Sequence, residues 1–121
     1  MEEKFNFENL EVYQRSLKLS IEIIKTIKGF DYKYNRIRDQ LIGAIISVPL
    51  NLAEGSGRKS VKEKINFYKY SKGSCFESIP LISICSELKL ISKKQYDSWR
   101  TEIRELCGVI AGLIRYSNSK I

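Results

Sequence analysis

Ser47-Val-Pro-Leu-Asn-Leu-Ala-Glu-Gly-Ser-Gly-Arg58 is the stretch that decides the fold of this chain. It places Pro49 near the end of an apolar helical segment and follows it with Gly55, Gly57 and a run of cations. Proline inside a helix removes one backbone hydrogen bond and costs about 3 kcal/mol unless the surroundings absorb the bend. Glycine readily adopts the positive φ values that end helices, so we expect the helix to stop at Gly55. The combination predicts the place where two helices meet.

Length and composition indicate one globular domain covering residues 1–121. The chain can bury one modest core, and its 43% apolar residues and two prolines are not the composition of a disordered protein. Its longest mainly apolar run, Leu41 to Leu50, is roughly half the length of a membrane span. The N-terminal Met-Glu-Glu-Lys shows no secretory signal, so we expect a cytoplasmic protein with no membrane partner.

The residue types argue against an enzyme. The chain has no histidine, which excludes a histidine-based triad and the commonest zinc sites. Its three cysteines include no Cys-x-x-Cys pair and are expected to be buried free thiols. The carboxylates Glu54 and Glu77 have no accompanying nucleophile, and the Gly55–Arg58 segment lacks the Gly-Lys-Ser/Thr ending of a P-loop. We therefore expect no catalytic residue, no metal and no cofactor.

Turn residues divide the chain into four stretches with helical spacing. The predicted bounds are about Leu10 to Lys28, Tyr34 to Glu54, Ser60 to Leu88, and Ser92 onwards. Ser60-Val-Lys-Glu63 and Ser92-Lys-Lys-Gln95 are capping boxes that open the last two helices. The fold class is predicted to be all-α, an antiparallel up-down-up-down four-helix bundle.

The predicted core faces follow from steps of three and four residues. On helix 1 the row is Leu10, Tyr13, Leu17, Ile21, Ile24 and Ile27. On helix 4 the row is Tyr96, Trp99, Ile103, Leu106, Ile110 and Leu113.

Helix 2 is apolar over too much of its circumference for one buried seam. One row comprises Leu41, Ile45, Val48 and Leu52. A second row, about 100° round the helix, comprises Ile42, Ile46, Pro49 and Ala53. A helix in a monomeric bundle needs one such stripe, and an exposed apolar patch commonly marks an interface. The second row therefore predicts a homo-oligomer interface, the alternative being that neighbouring helices of the same subunit cover both rows.

Small residues on helix 3 mark a further close contact. Ser71, Ser74 and Ser78 follow Phe67 at steps of three and four, which makes a thin strip where another helix could approach. Gly73 beside them loses about 1 kcal/mol against alanine in a helix. The strip fits a contact inside the bundle as well as a contact between subunits.

Positive charge is concentrated at the start of helix 3. The net charge is +7, and the segment from Arg58 to Lys72 holds six cations and one anion. Lys62, Lys69 and Lys72 fall within an arc of roughly 80°, and a tight turn would bring Arg58 to the same side. Such a ridge can follow a phosphate backbone, with little reading of bases. The predicted nucleic-acid-binding residues are Arg58, Lys59, Lys62, Lys69 and Lys72, the alternative being a solvated face with no ligand.

Several segments resemble a known family. Ser47 to Gly55 reads Ser-x-Pro-x-Asn-x-Ala-Glu-Gly, similar to the signature of a small bacterial four-helix-bundle family that includes proteins encoded by intervening sequences in 23S rRNA genes. The segments from Phe7 to Gln14, Arg38 to Ala44 and Gly73 to Glu77 resemble further motifs of that family in the same order. Accessory variability determinants of diversity-generating retroelements are related to it.

The chain departs from the family pattern at three positions. No proline follows Phe30, Lys89 stands where the family often has glycine, and Ser71 replaces a usual alanine. All three lie in turns or packing positions, so they concern local geometry more than membership.

The resemblance implies roles that the residues alone do not establish. Structural roles fall to the motif residues Asn51, Glu54, Gly55, Gly73, Ser74 and Glu77, with Asn51 and Glu54 bonding to backbone or arginine near the helix 2–3 turn. Characterised members look like ring-shaped pentamers, which strengthens the prediction of self-association. We expect a non-enzymatic oligomer that binds RNA or DNA. The alternatives are an adaptor that docks onto a reverse transcriptase or another nucleic-acid enzyme, and an assembly with no ligand.

Overall fold

A computed structural model describes residues 3–121 and contains four α-helices in the expected order. Their bounds are α1 Glu11–Ile27, α2 Asn35–Ser56, α3 Val61–Glu87 and α4 Lys93–Asn118. Two short 3-10 turns, Asn6–Asn9 and Tyr32–Tyr34, precede α1 and α2. No strand occurs within the described residues, so the prediction of an all-α fold is confirmed.

The helices form a closed ring of antiparallel neighbours. α1 packs against α2 and α4, and α3 packs against α2 and α4. Ser71 of α3 bonds to Val48 of α2, and Lys64 of α3 bonds to Gly55 of α2. The later residue of α3 contacts the earlier residue of α2, so the two helices are antiparallel. This arrangement puts the α1–α2 edge and the α3–α4 edge on opposite sides of the bundle.

The core face predicted for α4 is confirmed at its centre. Trp99, Ile103, Leu106 and Ile110 are buried, while the flanking Tyr96 and Leu113 are partly covered. The indole nitrogen of Trp99 donates a hydrogen bond of 2.8 Å to Glu22 of α1, which satisfies the one polar atom of that side chain.

The core face predicted for α1 is confirmed at Ile27 and wrong at Leu17 and Ile21, and two serines explain the difference. The buried residues of α1 are Val12, Ser16, Leu19, Ser20, Ile23 and Ile27, so Leu17 and Ile21 remain exposed. Ser16 Oγ donates to Tyr13 O at 2.9 Å, and Ser20 Oγ donates to Ser16 O at 2.8 Å. A hydroxyl bonded to backbone can enter an apolar core at little cost. Hydrophobic spacing therefore selected a face well away from the one that packs.

Pro49 lies inside α2, and a serine of α1 compensates for the hydrogen bond that it removes. A proline has no N–H to donate to the carbonyl four residues earlier, which here is Ile45 O. The one hydroxyl proton of Ser20 of α1 is shared between Ile45 O at 3.1 Å and Ser16 O at 2.8 Å. Ser71 Oγ of α3 donates at 2.8 Å to Val48 O, the carbonyl next to the proline. Pro49 therefore marks where α2 meets α1 and α3, which is the junction that the sequence predicts.

Gly55 and Gly57 do not end α2 in the predicted way. No glycine in the described chain has a positive φ, and α2 continues through Gly55 to Ser56. A Cβ on Gly55 would lie 2.8 Å from Cε1 of Tyr68 and 3.0 Å from Cβ of Phe67. The glycine is needed because α2 and α3 approach closely at this point.

The helix ends follow the capping signals with one exception. Ser92 and Gln95 form the complete capping box, with bonds of 3.0 and 2.8 Å. Ser60 accepts from Glu63 N at 3.3 Å, but the reciprocal bond from the Glu63 side chain is absent within residues 3–121. At the end of α3, Lys89 adopts a φ of 59°, the left-handed conformation that glycine would take without strain.

Candidate nucleic-acid interface

Three lysines on the outer side of α3 form the centre of the candidate interface. Lys62 and Lys69 are exposed and seven residues apart, which places them within about 20° of each other on an α-helix. Lys72 is partly buried and lies about 60° further round. None of the three has a carboxylate within ion-pairing distance in the described chain. We call Lys62, Lys69 and Lys72 the α3 ridge.

The prediction that Arg58 joins this ridge is wrong. Its guanidinium carbon lies 4.7 Å from the ring centroid of Phe67, and Nη2 lies 3.3 Å from Glu54 Oε2. Phe67 faces α2, because its Cβ would lie 3.0 Å from a Cβ placed on Gly55. The ion pair and the ring draw Arg58 to the flank of α3 opposite the ridge. Arg58 and Glu54 therefore hold the α2–α3 turn.

Lys64, Lys59 and Asn51 also lie at or near this turn. Lys64 Nζ donates to Ser56 O at 2.9 Å and to Gly55 O at 3.4 Å. These carbonyls end α2, where helical partners are missing and a cation suits the negative end of the helix dipole. Asn51 Nδ2 donates to Ser47 O at 2.8 Å, and Lys59 is exposed in the turn.

Two arginines of α4 extend the positive surface beyond the ridge. α3 and α4 are antiparallel neighbours, with Ser83 Oγ 3.3 Å from the Tyr96 hydroxyl. Arg100 and Arg104 are exposed, and together with Phe76 of α3 they line one pocket. Neither arginine has a carboxylate partner among residues 3–121.

We call the α3 ridge together with Arg100 and Arg104 the cationic face. Sequence reasoning missed both arginines, because they are far from the ridge in the chain and only the bundle brings them beside it. The spacing of four residues between them is the one signal that could have indicated a shared surface.

Cys75 of α3 and Cys107 of α4 meet beneath this surface. Cys75 is buried and Cys107 is partly exposed. The hydrogen bond from Cys75 and the positive charge of Lys72 lower the pKa of the Cys107 thiol. The same hydrogen bond, together with burial, raises the pKa of Cys75. Cys107 is therefore the thiol that ionises more readily, whereas Cys85 is buried as predicted.

Gly73 borders the α3 ridge and does not share the strip of serines. No atom lies within 4 Å of the position that a Cβ on Gly73 would take. Ser71 turns inward and bonds to α2, and Ser74 donates to Tyr70 O at 3.1 Å. Glu77 is exposed and forms no ion pair in the described part of the chain. The contact made by Ser71 is thus inside the bundle, while Gly73 faces open space.

The second row of α2 is partly covered within one subunit. Pro49 is buried, so the prediction that it lies exposed on an interface is wrong. Ile42, Ile46 and Ala53 are partly buried. The reason is that Pro49 sits close to the α1 side of α2, where Ser20 of α1 approaches the same turn.

The outer edge of α1 and α2 nevertheless remains apolar. The α1 residues Leu17 and Ile21 are 40% and 46% exposed, and Leu50 of α2 is 61% exposed. The bond from Ser20 to Ile45 sets Leu17 and Ile21 level with the middle of α2. Leu17 and Ile21, which the sequence wrongly predicted to be in the core, therefore lie on the same edge as the second row of α2.

The groove between α1 and α4 is polar and internally paired. Arg15 contacts Glu102 at 2.6 Å and Glu105 at 2.7 Å, and these bonds raise the pKa of Arg15 above its ordinary value. No cluster of metal-ligating side chains occurs among the described residues. In the same part of the chain, none of the helices has the length and apolarity that crossing a membrane requires.

A family model described as 23S rRNA-intervening sequence protein matches residues 8–112, which include α1, α2, α3 and most of α4. The chain belongs to this family. No curated protein matches the sequence. For this family member, the relation to retroelement accessory determinants stays a prediction.

One solved structure similar to this family member is a protein of unknown function from the S23 ribosomal protein family of Bacteroides thetaiotaomicron. The TM-score is 0.75 at 19% sequence identity, and the likeness covers 85% of this chain and 97% of the other. At that identity the likeness concerns the fold alone.

Proposed function

We propose that this protein is a non-enzymatic, self-associating four-helix bundle that binds RNA through the cationic face of α3 and α4. The observation that carries the proposal is a set of five cations on one side of the bundle without carboxylate partners in the described chain, namely Lys62, Lys69, Lys72, Arg100 and Arg104. Each phosphate contact made by such a cation releases counterions, and the net charge of +7 adds long-range attraction. The family description concerns 23S rRNA, which favours RNA over DNA.

Gly73 supports contact with a ligand at this face. A glycine within a long helix costs about 1 kcal/mol against alanine, and nothing in the bundle requires one here. Gly73 lies four residues after Lys69 and about 40° round α3 from it, at the border of the α3 ridge. A missing side chain at that point lets an external backbone approach the helix closely.

The decisive experiment is a salt titration of binding to single-stranded and double-stranded RNA. We expect affinity to fall steeply with salt, because the logarithm of the binding constant falls in proportion to the number of phosphates contacted. The double substitution Lys62→Glu and Lys69→Glu should weaken binding and flatten the slope.

A matched control keeps the charge change and moves it to α1. Lys25→Glu with Lys28→Glu lowers the net charge from +7 to +3, the same total as the ridge variant, since each substitution removes two units. Equal loss of binding in both variants would mean that only net charge matters. No binding at low salt would refute the proposal and leave the adaptor for a nucleic-acid enzyme.

Self-association is proposed on the apolar outer edge of α1 and α2. Leu17, Ile21 and Leu50 are exposed there beside the partly covered Ile42 and Ile46. Contiguous exposed apolar surface is uncommon on monomers and commonly marks an interface. The resemblance to ring-forming members favours a pentamer, and a ring would repeat the cationic face so that weak sites act together.

Light scattering on the purified protein tests the assembly. We expect a defined oligomer at micromolar concentration, and a stable monomer would refute the interface. Ile46→Asp should dissociate the oligomer, and circular dichroism distinguishes dissociation of folded subunits from unfolding. Lys94→Asp, at an exposed position on α4, is the control and should leave the assembly intact.

A further inference from the structure

A pocket of about 370 Å³ opens between α3 and α4 inside the cationic face. That volume falls within the ~300–1,000 Å³ of sites that bind small molecules or parts of larger ones. The residues that line it include Phe76, Pro80, Arg100, Ile103, Arg104 and Cys107. An apolar pocket bordered by two arginines suits a flat group that is attached to negative charge.

Phe76 supplies an aromatic surface at the mouth of this pocket. Its side chain is 62% exposed, so it contributes little to the core. Lys72 Nζ lies 5.9 Å from the centroid of its ring. An exposed aromatic face next to cations is the surface on which proteins stack unpaired nucleic-acid bases.

Pro80 lines the same wall and leaves one carbonyl of α3 without its helical donor. Because proline has no N–H, the carbonyl of Phe76 four residues earlier lacks its ordinary helical donor. The amino and imino groups of bases are donors that suit such a carbonyl. The wall of the pocket therefore combines a stacking surface with positive charge, next to a turn of α3 in which one carbonyl lacks its helical donor.

We infer that this pocket receives one unpaired base of the bound RNA, stacked on Phe76, while the neighbouring phosphates contact Lys69, Lys72, Arg100 and Arg104. The inference rests on the proposed function and narrows its ligand to RNA with single-stranded segments. In a duplex the bases are paired and stacked inside the helix, so none of them can enter the pocket. Stacking accepts any base, so strong sequence preference is not expected.

Cys107 provides a reporter inside the pocket that needs no substitution. It lines the pocket and is the partly exposed thiol, whereas Cys75 and Cys85 are fully buried. Its thiolate is favoured by the hydrogen bond from Cys75 and by the charge of Lys72, so an alkylating reagent should modify it first. A base in the pocket should shield it from the reagent.

The test compares a short single-stranded RNA with an abasic strand of the same length, which has the same phosphates and no bases. Phe76→Ala should lower affinity for the base-containing strand by about 5- to 150-fold, the range found for loss of one stacked base. It should leave affinity for the abasic strand unchanged. At saturation, the base-containing strand should slow alkylation of Cys107 much more than the abasic strand, whose phosphates only offset the charge of Lys72.

Tyr70→Ala is the matched control, since Tyr70 is 61% exposed on the same helix and about 120° away from Phe76. It should change neither affinity nor alkylation. If RNA binds with steep salt dependence while Phe76→Ala has no effect, or while Cys107 reacts at its free rate, the pocket inference is wrong and the proposed function stands. If neither strand binds at low salt, the proposed function itself fails.

Discussion

The bond from Ser20 to Ile45 O should be coupled energetically to Pro49. In the native chain, proline cannot donate to Ile45 O, and the Ser20 hydroxyl, whose proton is shared with Ser16 O, takes the place of the missing N–H at 3.1 Å. Ser20→Ala removes that donor from a carbonyl in the buried core. Pro49→Ala restores an N–H to the same carbonyl, so the hydroxyl is no longer needed there.

The expected magnitudes follow from this geometry. A buried acceptor left without a partner costs about 1–3 kcal/mol, so Ser20→Ala should lower the free energy of unfolding by that amount. With alanine at position 49 the same change should cost about 0.5 kcal/mol or less, because the helix supplies the donor. The coupling energy between the two positions should therefore be about 0.5 kcal/mol or more.

Urea denaturation of the four proteins at one fixed subunit concentration measures this cycle, since the apparent stability of an oligomer depends on concentration. Ser78→Ala is the matched control. Ser78 is buried and donates at 2.9 Å to Ser74 O, a carbonyl that the Ser78 N–H also serves. Its cost should be small and unaffected by Pro49→Ala. Equal costs of Ser20→Ala in both backgrounds would refute the compensation.

Three further substitutions test single positions. Gly55→Ala should destabilise by about 1 kcal/mol in urea denaturation, because the crowding with Tyr68 costs about 1–3 kcal/mol and outweighs the helix propensity gained, whereas Gly43→Ala in open space should stabilise. Lys89→Gly should stabilise by about 1 kcal/mol in the same assay, since it removes left-handed strain, and an unchanged midpoint would contradict this. Gly73→Ala should stabilise by about 1 kcal/mol and weaken RNA binding in a titration, and unaltered affinity would contradict its place in the interface.

The sequence was sufficient for the helices and for the junction at Pro49, because both depend on local chemistry. Proline, capping serines and a row such as Trp99 to Ile110 determine structure within a few residues. The face of α1 could not be predicted in this way. Besides Ser16 O of its own helix, Ser20 serves the carbonyl of Ile45 on another helix, and no count of apolar residues contains that information.

For the same reason, only the part of the candidate interface that lies on α3 could be predicted from the sequence. Lys62 and Lys69 follow from spacing on one helix, but Arg58 depends on a contact across the α2–α3 turn that withdraws it. Arg100 and Arg104 join the positive surface only through the packing of α4 on α3. Where a site is built from two helices, sequence spacing can identify the residues on each helix but cannot show that the two sets lie side by side.

The two proposed surfaces lie on opposite edges of the bundle, and this has a consequence for binding. α1–α2 carries the apolar edge and α3–α4 carries the cationic face, so an assembly through the first leaves every copy of the second in water. A strand that spans two subunits then meets its second site at high effective concentration.

Ile46→Asp should therefore lower affinity for long RNA much more than for a strand that fills one site. Binding titrations with the two lengths, on protein shown to be folded and dissociated, measure the difference. The added negative charge affects both lengths, so the ratio between them isolates the loss of avidity. Equal losses would mean that each subunit binds alone. A gain in affinity on dissociation would mean that assembly covers the cationic face, which would refute the opposite placement of the two surfaces.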